Sequence, residues 1–415
     1  MDKPLSYESL KTVLQYLEAN LRFHLSNRCV SLKCTEKIVP LRIDSLKLDQ
    51  RLITVNKTTY LFGIYRDYHI KSDIPRCIQR KNNTGGLGND VDQYGLPDYS
   101  IDHVVTSGDL VIKENGWQEN IDRLRNRSMQ QLEENVENMK RKREEWMLES
   151  YLADLQPHYY KRDNVLPPYD PFIQLTIKHE DETKTIHRTK YTMKLHEAIK
   201  KFNTLLFGGR RSTIHVKRVK VSNHHLIIRL PIDVTFRILE LKFTGTVEIA
   251  YGELKKVVVN IDEPLEELFV DTIADLPQNF EHSLIANSKS LIIRKYAQRL
   301  IGDYLKLKNR RVHMRFEDCL FYERDHILLI RNWLETNRDV GYCYTFAFDK
   351  KETVVRRLEL IKTEFDGDMN DQGSVTISMR NPSNQLCVSC VPTTYHNTGY
   401  NEPQWFLKIE VLHVD

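Results

Sequence analysis

The sequence lacks the features that mark secreted and membrane-spanning chains. No segment approaches the roughly 20 consecutive apolar residues that a bilayer-spanning helix needs. A secretory signal has a basic start and a continuous apolar stretch, whereas here Glu8, Lys11 and Glu18 interrupt the N-terminal pattern. The seven cysteines are odd in number and scattered, unlike a disulfide framework. We therefore expect reduced thiols, a cytoplasmic or nuclear location and no membrane partner.

An excess of either sign of charge is also missing. The chain has 61 Lys and Arg residues against 57 Asp and Glu residues, for a net charge of +4. That imbalance is too small to predict a nucleic-acid partner from charge alone. Hydrophobic residues make up 40% of the chain, enough for a folded core. The length of 415 residues predicts roughly two or three domains.

The motifs that usually carry catalysis or hold cofactors are missing as well. Cys387-Val-Ser-Cys390 is the only paired-thiol motif, and a structural zinc site needs four ligands. Two residues three apart on a strand also point to opposite faces. Gly85-Gly-Leu-Gly88 and Gly208-Gly209 lack the GxxxxGK[ST] form of a phosphate loop, and the second pair is typical of a helix C-cap. With no GxSxG turn either, we expect no enzymatic activity, no metal and no cofactor. An enzyme whose site is assembled in space from distant residues is the remaining alternative.

Hydrophobic patterning divides the chain into four segments and predicts an α+β fold. Residues 1–40 form a small helical module, in which Ser6 and Asn20 are predicted N-caps and Pro40 ends the helical region. Residues 41–116 hold short β segments followed by an exposed loop, which we place at residues 80–100. Residues 117–156 form a long charged helix, and residues 171–415 form a C-terminal α/β domain rich in β-strands.

Two of these segments suggest more than their secondary structure. The 117–156 helix could extend on the order of 50 Å, and its thin apolar stripe favours an intramolecular brace over a dimer seam. In the C-terminal domain, residues 239–243, 289–293 and 312–316 share an alternating apolar pattern. That pattern suggests irregular strand–helix repeats, although the spacing is not constant.

Two basic segments raise the alternative of nucleic-acid binding. The first contains Arg210, Arg211, His215, Lys217, Arg218 and Lys220, and the second contains Lys308, Arg310, Arg311, His313 and Arg315. Tyr304 and Phe316 beside the second segment could stack on bases. Alternating Lys or Arg with Ile or Val is also what a half-buried strand with a solvated face gives. We favour the solvated face, and an acidic protein partner is a third interpretation.

The N-terminal module resembles the F-box. Leu5-Ser-Tyr-Glu8 followed by Val13-Leu-Gln-Tyr-Leu17 is similar to the F-box opening, in which Leu-Pro-x-Glu precedes Ile-Leu-x-Tyr-Leu. Ser6 stands where that family has proline, and the basic-plus-Trp ending of the motif is missing. The segments Val39–Leu48, Asp90–Gly95 and Tyr342–Phe346 resemble the nematode class of F-box C proteins.

This resemblance implies a non-catalytic substrate receptor of a Skp–cullin–F-box ubiquitin ligase. The helical module would dock in an apolar groove of a Skp-type adaptor, as amphipathic helices do. The C-terminal region would then bind a protein substrate whose identity the sequence does not reveal. The residues that the resemblance assigns to the adaptor are Leu5, Leu10, Val13, Leu14, Leu17 and Leu21.

Overall fold

The structure is a computed structural model and confirms the α+β class. It describes residues 6–112, 128–142, 145–221, 226–244, 247–272, 281–295, 305–315, 323–370, 373–392 and 405–414. The chain forms two compact units, each taken by itself below. Unit 1 comprises Met1–Arg237 and Lys256–Val259, and unit 2 comprises Ile238–Lys255 and Asn260–Asp415.

Unit 1 therefore combines the first three predicted segments with the start of the fourth. Its helices are α1 (Tyr7–Tyr16), α2 (Ala19–Arg28), α3 (Val30–Ile38), α4 (Arg76–Asn83), α5 (Ser100–His103), α6 (Met129–Lys142), α7 (Glu145–Asp163) and α8 (Leu195–Phe207). Its strands are β1 (Arg42–Leu48), β2 (Leu52–Val55), β3 (Thr58–Tyr68), β4 (Asp90–Val91), β5 (Pro97–Asp98), β6 (Leu110–Ile112), β7 (Tyr169–Lys178), β8 (Lys184–Lys190), β9 (Ile214–Val221) and β10 (Leu226–Ile228).

The main sheet of unit 1 joins segments that are far apart in the sequence. Its strand order is β9-β1-β2-β3-β7-β8, and the β9–β1 pair is parallel whereas the other neighbours are antiparallel. Ile43 pairs with Val216 and Leu46 with Val219, so buried apolar residues of β1 and β9 lie side by side. This long-range parallel pairing is why residues 1–40, 41–116 and the start of 171–415 are one compact unit.

The single long helix predicted over residues 117–156 is wrong within the described residues. Residues 113–127, and with them the start of the prediction, lie outside those residues. The rest forms α6 and α7, which pack on each other through Leu132, Val136 and Leu155. The Tyr159 hydroxyl donates to the Glu133 carboxylate at 3.1 Å, whereas one straight helix would hold these residues roughly 39 Å apart. Pro157 lies inside α7 and does not end it.

The exposed loop predicted over residues 80–100 is also wrong, because its polar residues are used inside unit 1. Asp90 is fully buried and accepts hydrogen bonds at 2.8 Å from the backbone N–H of Leu195, the first residue of α8, and from the Tyr191 hydroxyl. A carboxylate at a helix N-terminus satisfies an orphan donor and interacts well with the helix dipole. Burial nevertheless raises the pKa of Asp90.

Close backbone approach explains the glycines of the same segment. The Gly85-Gly86 turn crosses the face of β3 at Gly63, where a Cβ atom would come within 2.2 Å of the Gly85 carbonyl oxygen. Ile64 and Leu87 then exchange two backbone hydrogen bonds beside β3. Gly208, by contrast, caps α8 and Gly209 adopts a φ of 68°, as the sequence predicted for this pair.

Unit 2 is built on a mixed sheet with helices between its strands. Its strands are β11 (Phe236–Phe243, whose first two residues belong to unit 1), β12 (Glu267–Thr272), β13 (Ser290–Lys295), β14 (Arg311–Met314), β15 (Cys343–Phe348), β16 (Asp368–Met369), β17 (Val375–Ser378), β18 (Asn384–Pro392) and β19 (Trp405–His413). Its helices are α9 (Val247–Leu254), α10 (Ser283–Ala286), α11 (Glu323–Thr336) and α12 (Lys351–Phe365). The apolar pattern of residues 256–261 predicts a strand, but the structure has turns with one isolated bridge there.

A parallel stack of five strands forms the first part of this sheet. Strands β11 to β15 pair in chain order, and their apolar side chains align in two buried rows. The rows are Leu241, Leu268, Leu291, Val312 and Tyr344, and Phe243, Val270, Ile293, Met314 and Phe346. The three segments with the alternating apolar pattern therefore contribute β11, β13 and β14 to one stack of parallel strands.

Buried polar side chains hold the stack together at two places. Asn309 is 1% exposed, and its amide donates at 2.7 Å to the Ile285 carbonyl and at 2.8 Å to the Ser288 carbonyl of the preceding connection. His313 on β14 lies 2.7 Å from the Thr345 hydroxyl on β15. Burial is the main cause that lowers the pKa of His313 to about 4, and repulsion from Arg315 and Arg311 adds to it.

Candidate protein-docking surface

Three short helices, α1 to α3, form the N-terminal module that the sequence predicted. Ser6 caps α1, since its hydroxyl accepts the backbone N–H of Ser9 at 3.2 Å. The predicted cap of α2 is wrong by two positions. The Glu18 carboxylate accepts the backbone N–H groups of Asn20 and Leu21 at 2.7 and 3.2 Å, so that Glu18 is the N-cap and α2 begins at Ala19.

The residues assigned to the adaptor do not all lie at the surface of this module. Leu14 is 1% exposed and belongs to the core, so its side chain is not open to a partner. Val13 and Leu21 are 42% and 45% exposed, and Leu10 and Leu17 are half-buried. Leu5 lies outside the described residues. Four of the six assigned side chains therefore reach the surface at least in part.

Sequence reasoning missed several exposed apolar side chains of this module, and Tyr16 is the most exposed of them. Tyr16 is 84% exposed and lies one helical turn after Val13, so the two side chains are neighbours on α1. Tyrosine offers a large contact area at a low cost in conformational entropy and is enriched at protein interfaces. The three-residue spacing from Val13 was the sequence signal that could have identified it. We call Val13, Tyr16 and Leu21 the exposed apolar patch.

A buried ion triad fixes the module to the rest of unit 1. The Glu36 carboxylate of α3 accepts from the guanidinium groups of Arg22, at 3.1 Å, and Arg210, at 2.6 Å. All three side chains are at most 2% exposed. Arg22 also donates to the Pro40 carbonyl at 2.8 Å and the Val39 carbonyl at 2.9 Å. Burial lowers the pKa of both arginines, and Glu36 offsets part of that cost.

The C-terminal end of α8 provides a second attachment for the module. The Lys37 ammonium donates to the carbonyls of Leu205 and Leu206 at 2.7 and 2.9 Å, which are orphan acceptors at a helix end. The rings of Phe23 and Phe207 meet edge to face, with centroids 6.1 Å apart. The module is therefore held against α8 and the residues that follow it by packing, hydrogen bonds and ion pairs together.

The structure places the residues of the two basic segments in different environments. Arg210 is buried in the triad and is lost to any phosphate groove. His215, Lys217 and Arg218 point outward from β9, beside Arg42 of β1. In the second segment His313 is half-buried, and the aromatic neighbours considered for stacking lie outside the described residues. Nucleic-acid binding stays an untested alternative.

Polar clusters inside unit 1 have structural roles. The Arg229 guanidinium is fully buried and donates to the Asp109 carboxylate at 2.8 Å, and the Lys200 ammonium reaches the same carboxylate at 2.7 Å. Arg229 also donates to the Ile101 carbonyl at 2.6 Å. These contacts join α5, α8 and the segment before β6, and they compensate the buried charges.

The part of the chain that the structure describes has neither a metal-binding cluster nor a helix that could span a membrane. It contains no group of three or more His, Cys, Asp or Glu side chains placed to hold a metal ion. None of its helices combines the length and apolar character that crossing a bilayer demands. Cys387 and Cys390 both lie on β18, opposite Glu410 and Leu407 of β19, so the odd spacing places them on opposite faces.

Comparison with known proteins identifies one domain. Residues 194–350 match the model of a family described as a domain of unknown function (DUF3557), a match that covers less than half of the chain. It runs from the N-cap of α8 to the residue before α12, and so includes the parallel strands β11 to β15. No curated protein and no solved structure matches the chain.

Proposed function

We propose that this chain is a substrate receptor of a Skp–cullin–F-box ubiquitin ligase, of the F-box C type, and that it does no chemistry itself. The observation that carries the proposal is the exposed apolar patch on a three-helix module whose sequence resembles the F-box. Exposed apolar residues grouped on a small helical unit favour a protein partner. The adaptor would be Skp-type and would cover Val13, Tyr16 and Leu21.

The attachment of the module supports this role. A receptor must hold its substrate at a defined position relative to the adaptor, so the docking element has to be rigidly joined to the next domain. The Glu36 triad and the Lys37 contacts provide such a joint within unit 1. Unit 2 would provide a substrate surface, since stacked parallel strands give extended binding faces.

Capture of a recombinant Skp-type adaptor by the full chain tests the proposal. We expect Val13→Asp with Leu21→Asp to abolish capture, because burying a carboxylate in an apolar groove is strongly unfavourable. Gln15→Asp with Asn27→Asp is the matched control, since both residues are exposed on the same two helices and the charge change is the same.

The choice of positions follows from the structure. A charge at Leu14 would unfold the module, and its loss of capture would carry no information about docking. Circular dichroism should show that the Val13 and Leu21 variant keeps its helices. Capture that is unchanged in this variant, or lost equally in the control, would contradict the proposal.

A further inference from the structure

A basic pocket of about 610 Å³ lies between α3 and the end of α8, and no residue of the exposed apolar patch lines it. Its lining includes four cationic side chains, Lys33, Lys37, Lys201 and Arg211, and no carboxylate. Lys33, Lys201 and Arg211 are exposed, and among the described residues Lys33 and Arg211 have no ion pair. A cleft lined by one sign of charge concentrates ligands of the other sign.

The end of α8 would ordinarily oppose an anion, because the helix dipole places negative partial charge there. Here the Lys37 ammonium hydrogen-bonds the carbonyls of Leu205 and Leu206 and offsets that charge. Burial is the main cause that lowers the pKa of Lys37 to about 8. Repulsion from Arg210, Lys33 and Arg22 lowers it further, whereas the nearby Glu36 opposes the shift. An anion in the pocket would relieve the repulsion between these cations.

The pocket also has an apolar part. Ile38 and Leu205 line it, and both are exposed. A free phosphate ion would leave both side chains in water. A nucleic-acid strand would need aromatic side chains on which its bases stack, and the lining contains none. The combination instead fits a peptide that carries carboxylates around one apolar side chain.

We propose that this pocket binds an acidic peptide segment of a partner protein, with an aliphatic side chain seated on Ile38 and Leu205 and carboxylates paired with Lys33, Lys201 and Arg211. The proposal goes beyond the ubiquitin-ligase role and does not depend on it. The pocket volume is within the range of specific ligand sites, about 300–1,000 Å³.

Fluorescence anisotropy of the full chain with a labelled peptide tests the proposal. The probe is Asp-Glu-Glu-Leu-Glu-Asp-Glu, and its comparator has serine in place of leucine. We expect the probe to bind and the comparator to bind about tenfold more weakly, as expected for one buried leucine side chain. Affinity should fall as salt is raised, because the carboxylates pair with exposed cations.

Two double charge-reversal variants test whether the probe binds in this pocket. The double substitution Lys33→Glu with Arg211→Glu should lower the affinity for the probe by at least about tenfold, since like charges across an interface are strongly unfavourable. Lys184→Glu with Lys190→Glu changes the net charge equally on the exposed strand β8 and should leave binding nearly unchanged. All four side chains are exposed, so the variants should remain folded.

Several results would overturn the proposal. These are no binding of the probe, equal binding of the serine comparator, or equal weakening by both pairs of reversals. Preferred binding of single-stranded RNA, or of phosphatidylserine vesicles, through Lys33 and Arg211 would assign the pocket to a different partner. Adaptor capture is measured separately with the same variants, so failure here and failure of the ligase proposal remain distinguishable.

Discussion

Glu36→Gln keeps the shape of the side chain but removes the negative charge between two buried guanidinium groups. In the native protein Arg22 and Arg210 share this carboxylate at 3.1 and 2.6 Å, and all three side chains are almost completely buried. Removing one partner of a buried pair typically costs about 3–5 kcal/mol, because an uncompensated charge is left in a poorly solvated site. Here two cations remain and also repel each other. We therefore expect a loss at the upper end of that range.

A second variant distinguishes charge from packing. Arg210→Met removes one cation and leaves Arg22 paired with Glu36, so its cost should be nearer that of a lost charged hydrogen bond, about 1.5–3 kcal/mol. Combining Glu36→Gln with Arg210→Met leaves a single cation that still donates to the Pro40 and Val39 carbonyls. The double variant should be more stable than the sum of the single effects by at least about 1 kcal/mol.

The assay must report on unit 1, because a chain with two compact units need not unfold in one step. Hydrogen exchange followed by mass spectrometry gives opening free energies for peptides from α2 and α3, and peptides from unit 2 serve as the internal control. A loss below about 1 kcal/mol for Glu36→Gln would refute the reasoning. Strict additivity in the double variant would do the same.

Three further predictions concern single positions. His313 has a pKa of about 4 in the folded protein, below its ordinary value of 6.5, so the unfolded chain is protonated first as the pH falls. The free energy of unfolding of unit 2 should therefore fall by roughly 2–3 kcal/mol between pH 6.5 and pH 4, and urea titrations of His313→Gln should lack that part of the loss. In thermal melts, Gly63→Ala should destabilise unit 1 by about 3 kcal/mol or more, because the new Cβ atom clashes with the Gly85 carbonyl. Gly252→Ala should instead stabilise α9 by up to about 1 kcal/mol, because a Cβ atom there meets no other atom within 4 Å. Asn309→Ala removes the three hydrogen bonds that the buried amide donates to the Ile285 and Ser288 carbonyls and the Ser288 hydroxyl, and it should cost about 2–4 kcal/mol in urea unfolding. A cost below about 1 kcal/mol would contradict the structural role of this side chain.

Local features of the fold could be predicted because they depend on residues close together in the sequence. The cap by Ser6, the end of α8 at Gly208-Gly209 and the strand Ile214–Val221 follow from hydrogen bonding and alternation within a few residues. The predictions that were wrong concern segments whose structure depends on a chain reversal or on contacts between distant residues. Residues 117–156 show helical periodicity throughout, and only the packing of Val136 on α7 reveals that the described part forms two helices.

The candidate docking surface was predicted in part for the same reason. Helical spacing identified an apolar stripe on α1, but periodicity does not say which part of the stripe packs inward. The structure buries Leu14 and leaves Val13 and Tyr16 exposed. Val13 and Leu21 are therefore the positions at which a charge tests docking without disrupting the core.

The sequence by itself determined the α+β class, the three-helix module and the alternating strands of the C-terminal region, since each depends on patterns of 2 or 3.6 residues. Only the tertiary structure decided which distant segments meet. Arg210 reaches Glu36 across 174 residues of sequence, and β9 pairs with β1 in parallel. The strands β11 to β15 align although their connections differ in length, because the register is set by the two buried rows of side chains and not by a sequence period.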